Sequence, residues 1–132
     1  MNTPTAMSLP IKDATPLINH LNGLAELAHN CAKDHGFHDA NADRSTVENF
    51  AIWTTNIHGE VSEIWEAARN DKLTQPCDKD SLNLTCEEEE LADIILRTLD
   101  LAQARGVNIG VAVIMKYNYN LTRPHRHGSK LA

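Results

Sequence analysis

Glu60 and Glu63 stand three residues apart, and so do Glu90 and Asp93, each pair inside a segment of helical period. At about 100° per residue, Phe50, Trp53, Ile57, Val61, Ile64 and Ala68 form one apolar stripe, with Glu60 and Glu63 along one flank beside Asn49 and Asn56. Leu91, Ile94, Ile95, Thr98 and Ala102 form a second stripe, with Glu90 and Asp93 displaced from it in the same rotational sense. Turning one helix antiparallel to the other inverts left and right, so equal-handed flanks can face each other across a seam. One placement of the two helices therefore gathers Glu60, Glu63, Glu90 and Asp93. Carboxylates so gathered repel strongly unless a hard cation neutralises them. Oxygen-only ligands suit Mg²⁺, or Mn²⁺ as a substitute, and do not suit zinc. The competing reading is a set of solvated helix flanks, with Glu87 to Glu90 complementing a helix dipole and Asp93 pairing with Arg97 at i, i+4.

A second polar signal lies further on. Ile109, Ala112 and Val113 define a stripe whose continuation is Lys116 and Asn120. An unpaired ammonium on an inward face is costly, so Lys116 calls for a phosphate or a core acid, or else it snorkels outward. Asn120 can bond a phosphate or a sugar hydroxyl. Val111, Ile114 and Met115 cover other sides of the same segment, which suggests an interface between subunits. Trp65 reads as core or interface packing.

Four helices must position these groups. The first opens at Thr15-Pro16, with proline at the first helical position, and runs to about Lys33. The second starts at a capping box, Ser45 with Glu48, and ends at Asn70-Asp71. A polar loop over residues 70–84 leads to the third, opened by Thr85 with Glu88 and stopped by Gly106. Asn108 caps the fourth, which reaches about Leu121 before Pro124. No alternation of strand period competes, and no internal repeat is present. The fold class is all-α, with four main helices in a bundle. Residues 1–15 read as an N-terminal arm, 16–122 as the domain and 123–132 as a short basic tail.

Length and charge bound the function. At 132 residues the chain fits one domain, and a net charge of −6 argues against holding a nucleic acid polymer through its phosphates. The three cysteines, with no CxxC pair, form no disulfide framework or zinc ribbon, so a cytoplasmic location is expected. No signal peptide is evident, and no run approaches the roughly 18 apolar residues of a membrane span. The seven histidines are irregularly spaced and read as surface or substrate-facing groups.

From about Leu21 to Lys130 the chain resembles the MazG-like all-α nucleoside triphosphate pyrophosphohydrolases. The matching segments are Lys33-Asp34-His35-Gly36-Phe37-His38, the stretch His58-Gly59-Glu60-Val61-Ser62-Glu63, and Glu89-Glu90-Leu91-Ala92-Asp93. Lys116-Tyr117-Asn118-Tyr119-Asn120 and Arg123-Pro124 follow. The resemblance implies Mg²⁺-dependent hydrolysis between the α- and β-phosphates, giving a nucleoside monophosphate and pyrophosphate in nucleotide-pool house-cleaning. It implies Glu60, Glu63, Glu90 and Asp93 as metal ligands, with Glu63 or Glu60 as the base. Lys116, Asn120 and Arg123 become phosphate or nucleotide contacts, and His38 and Trp53 the candidates for base recognition. It also implies a homo-oligomer, dimer or tetramer. The rival function is a non-catalytic four-helix binding or assembly module with acidic patches. A di-iron centre lacks its ExxH pairs, and His38-Asp39 alone is a weak basis for a metal-dependent phosphohydrolase of the His-Asp type.

Overall fold

The computed structural model describes residues 11–39, 43 and 46–129, and among them four helices carry the chain. They are α1 (Thr15–Asp34), α2 (Val47–Arg69), α3 (Cys86–Ala104) and α4 (Ile109–Leu121), followed by the single turn α5 (Arg126–Ser129). No strand forms among the described residues; Pro76 and Thr85 make an isolated antiparallel bridge. No described helix is long and apolar enough to cross a membrane.

Capping chemistry sets the helix ends. Thr46 caps α2 by accepting from the Asn49 N–H at 3.2 Å, one residue beyond the expected Ser45, which lies outside the described residues. At α3 the full capping box is present: Glu88 N–H donates to Thr85 Oγ1 at 3.2 Å, and Thr85 N–H donates to Glu88 Oε1 at 2.9 Å. Gly106 takes φ +69°, and the Val107 N–H returns to Ala102 O at 2.9 Å, closing α3 in a left-handed cap that an L side chain disfavours. Asn108 Oδ1 accepts from Val111 N–H at 3.1 Å and starts α4.

The chain divides into two compact units, Met1–Gly23 with Asn108–Ala132, and Leu24–Val107. In the first, α4 runs hard against the start of α1. A Cβ on Gly110 would lie 2.6 Å from Ile18 O, so only glycine permits this approach. Asn22 Oδ1 accepts from Gly110 N–H at 2.8 Å, and Asn22 Nδ2 donates to Asn108 Oδ1 at 2.9 Å. These bonds fix the rotation of α4, whose buried residues are Gly110 and Ile114. The expected inward stripe through Ala112, Val113, Lys116 and Asn120 is therefore turned outward, and all four are exposed. The segment before α1 is tied down as well: Ile11 N–H donates to Asn118 Oδ1 at 3.0 Å, and Asn118 Nδ2 donates to Ile11 O at 3.2 Å. Of the expected arm, residues 1–10 lie outside the described residues, and Ile11 is anchored.

The second unit is built on the α2–α3 seam. Trp53, Leu99 and Ala102 are buried there with Ala25 of α1, and so are the polar side chains His38, Glu60, Glu89 and Asp100. The apolar stripes read from the sequence face outward over much of their length. Val61, Leu91 and Ile95 are 46%, 47% and 54% exposed, while Glu60 is buried and Glu90 and Asp93 are half-buried. The four buried polar side chains meet charged or ionisable partners there: His38 pairs with Asp100, Glu60 with Arg97 and Glu89 with Lys79.

Candidate metal centre and adjoining cleft

Glu60 near the middle of α2 and Glu90 and Asp93 in the first two turns of α3 converge. Each offers an oxygen within 4.8 Å of the others'. The antiparallel placement inferred from the equal-handed flanks is thus realised for these three. Glu63 sits one turn beyond Glu60 on α2, is exposed, and perturbs Glu90 directly.

The electrostatics are those of a site short of positive charge. Glu90 has its carboxyl pushed up to about 7, first by burial, then by the neighbouring Glu63, then by the charges of Glu89 and Glu60. Burial and the charges of Glu60 and Glu89 also raise Asp93, against the opposing pull of Lys79 and Arg97. Two cations answer part of this charge. Arg97 Nε donates to Glu60 Oε1 across the seam, in place of the i, i+4 pairing with Asp93 that the sequence allowed. Lys79, on the α2–α3 loop, reaches buried Glu89 at 2.5 Å and Asp78 at 3.0 Å, and both bonds raise its ammonium pKa.

Glu90 Oε2 is buried and has no hydrogen-bond partner among the described residues. An orphaned carboxylate oxygen is expensive to bury. Beside two further carboxylates, it fits a hard divalent cation such as Mg²⁺ or Mn²⁺ in donor type and charge.

Two cavities flank the trio. One, about 550 Å³, is an apolar cleft walled by Leu24, Leu27, Phe37, Trp53 and Leu96, with Asp93, Arg97 and Asp100 on its polar side. The other, about 710 Å³, is polar and lined by Glu63, Glu89 and Glu90 with Lys72 and Lys79. The first has the size and lining of a small-molecule site.

Trp53 and His38 meet in this unit. Their rings stack at 4.4 Å and 9°, and His38 is buried, with Nε2–H donating to Asp100 Oδ1 and Oδ2 at 2.8 and 3.0 Å. His29 joins through Nδ1 to the same Oδ1 at 2.8 Å and packs edge-on against His38 at 4.7 Å. The carboxylate partner of His38 is therefore Asp100 and not its chain neighbour Asp39. Trp53 walls the cleft, with His38 stacked on it.

Asp100, His29, Arg97, Glu89 and Lys79 were not anticipated in these roles. Glu89, Asp93, Arg97 and Asp100 recur at i, i+4, i+8 and i+11, a polar ridge along α3 that helical spacing alone identifies. His29 meets Asp100 across 71 positions and Lys79 reaches Glu89 from a loop, and neither contact has a local signature. Lys116, Asn120 and Arg123 belong to the other unit, where the Lys116 ammonium lies 4.7 Å from the Tyr119 ring centroid and the Arg123 guanidinium 5.8 Å from it.

Comparison of the chain with protein-family models, with curated proteins and with solved structures finds no match.

Proposed function

We propose that the protein hydrolyses a nucleoside or deoxynucleoside triphosphate to the monophosphate and pyrophosphate, as the MazG-like resemblance implies, with Mg²⁺ held by Glu60, Glu90 and Asp93 and Glu63 beside them. The observation that carries the reading is the oxygen-only trio, one of whose buried oxygens lacks a partner, next to an apolar cleft of nucleoside size.

Bound Mg²⁺ supplies charge neutralisation and Lewis acidity at the phosphates. The chain supplies the rest. Trp53 and Phe37 give the cleft flat apolar walls for a base, and His38 supports the Trp53 ring from behind. Glu63 is assigned as general base, because it is exposed at the edge of the seam whereas Glu60 is buried and engaged by Arg97. A water oxygen bonds to the α-phosphorus and its proton passes to Glu63. The bond from that phosphorus to the α,β-bridging oxygen breaks, and the electron pair leaves with pyrophosphate. Lys116, Asn120 and Arg123 are assigned to phosphate or sugar on the resemblance alone. Nucleotide-pool house-cleaning in the cytoplasm is the corresponding role.

A homo-oligomer belongs to the same reading. Trp65 and Ile95, 63% and 54% exposed on α2 and α3, are large apolar groups of the kind a second copy covers. Manganese binding followed by electron paramagnetic resonance tests the site. Glu60→Gln and Glu90→Gln should each weaken binding by at least tenfold with unchanged helicity. Unaltered Mn²⁺ affinity in both variants would leave the acids as surface charge of a binding module.

A further inference from the structure

Resting on that reading, we propose that Arg97 is the residue of this site that grips the α-phosphate, held in place for the task by Glu60. Three observations converge on it. First, its position: Arg97 lines the apolar cleft together with Asp93, while its Nε reaches across the seam to Glu60. It thus stands where a nucleoside in the cleft gives way to phosphates at the acids. Second, its free donors: the Nε–H is committed to Glu60 Oε1, and neither Nη has a partner among the described residues. The guanidinium therefore presents an Nη1/Nη2 edge with fork geometry, the form that matches two oxygens of one phosphate. Third, its environment: the side chain is 36% exposed, so the fork is open to a ligand while the Nε anchor faces a carboxylate that is 9% exposed.

The anchor matters as much as the fork. A surface arginine loses side-chain freedom when it binds an anion, whereas the bond to Glu60 has already restricted this one. Glu60 then serves twice, offering oxygen to the metal cluster and orienting the guanidinium. A phosphate placed against Arg97 has its α-phosphorus beside Glu60, Glu90 and Asp93, with the β- and γ-phosphates extending away from the cleft. Arg97 touches the substrate in this arrangement and offsets the charge that grows on the non-bridging oxygens of the α-phosphate as water attacks.

The test uses the α,β-methylene analogues of the four deoxynucleoside triphosphates as non-hydrolysable probes, titrated calorimetrically in Mn²⁺, with Arg97→Gln and Arg97→Lys. Gln keeps a hydrogen bond to Glu60, so Mn²⁺ affinity without nucleotide should stay within about threefold of the wild type. Affinity for the best analogue should fall roughly 10- to 100-fold in Arg97→Gln, the effect of one charge-assisted contact, and recover in part in Arg97→Lys. Affinity for the parent nucleoside, which has no phosphate, should be unchanged. Analogue affinity equal to wild type in Arg97→Gln would overturn the assignment, as would a loss of Mn²⁺ affinity that accounts for the whole effect. Wild-type protein that binds neither Mn²⁺ nor any analogue would instead overturn the pyrophosphohydrolase reading itself, and this inference with it.

Discussion

Arg97 of α3 reaches across the helix seam to Glu60 of α2 and leaves Asp93, four residues earlier on its own helix, to the acidic trio. A pairing within one helix would have contributed a few tenths of a kcal/mol and left both groups at the surface. The pairing between helices couples the two acidic motifs and turns the guanidinium toward the cleft. It also makes Glu60 sensitive to change. Arg97→Met should strand a buried carboxylate and destabilise the protein by about 1–3 kcal/mol, and millimolar Mg²⁺ should restore part of the loss. Chemical denaturation with and without Mg²⁺ checks this; equal stability of variant and wild type in chelator would contradict it.

The raised carboxyl of Glu90 makes stability depend on pH. Its folded value, about 7, lies above the ordinary 4.5, so the fold binds this proton more tightly than the unfolded chain does. The contribution is fully present below about pH 4.5 and is lost as pH rises through 7. In chelator, the melting temperature of the wild type should therefore fall from pH 5.5 to pH 8 relative to Glu90→Gln, which lacks the titrating group. Added Mg²⁺ should remove the difference, because a bound cation stabilises the ionised trio. Parallel pH profiles for the two proteins would contradict this.

Glu63→Gln keeps volume and removes the assigned base. Turnover should drop by about 10²- to 10⁴-fold, with circular dichroism unchanged and Mn²⁺ affinity less affected than in Glu60→Gln. Activity near wild type would remove Glu63 from the chemistry and leave Glu60 as the candidate.

The buried Asp100 satisfies two imidazoles behind Trp53. Asp100→Ala should cost about 1–3 kcal/mol of stability by leaving buried nitrogens without their acceptor, and should loosen the Trp53 ring. Tryptophan fluorescence and thermal melting together check this. Trp65 also emits, so the measurement is made in a Trp65→Phe background. Unchanged emission and stability would mean that the histidines find water instead.

Lys116→Met separates the roles left for α4. Lys116 is exposed and lies over Tyr119, so the fold should tolerate the change with a stability shift under about 0.5 kcal/mol. A loss of activity of one to three orders of magnitude on a stable fold would support the phosphate contact; unimpaired turnover would refute it.

Much of this architecture was legible. The starts of α3 and α4 follow from Thr85 with Glu88 and from Asn108, because capping is decided within four residues. The convergence of Glu60 with Glu90 and Asp93 is one of the two placements that their equal-handed flanks allowed, and the sequence left the choice between them open. Which face of each helix turns inward was not legible. The sequence made the apolar stripe of α2 the inward face, yet Glu60 is buried and Phe50 and Val61 are exposed, since burial was decided by partners such as Arg97 on another helix. On α4 the rotation is set by the contact of Gly110 with Ile18 and by the side chain of Asn22, 88 positions away. Hydrophobic periodicity gives no access to a constraint of that kind.

Phosphorus NMR of the products formed from a panel of nucleoside and deoxynucleoside triphosphates in Mg²⁺ tests the pyrophosphohydrolase activity itself. Monophosphate and pyrophosphate should form in equal amounts from at least one substrate, with no reaction in chelator and none from Glu90→Gln. Diphosphate with inorganic phosphate, or no turnover of any substrate by folded, Mg²⁺-supplied protein, would contradict it.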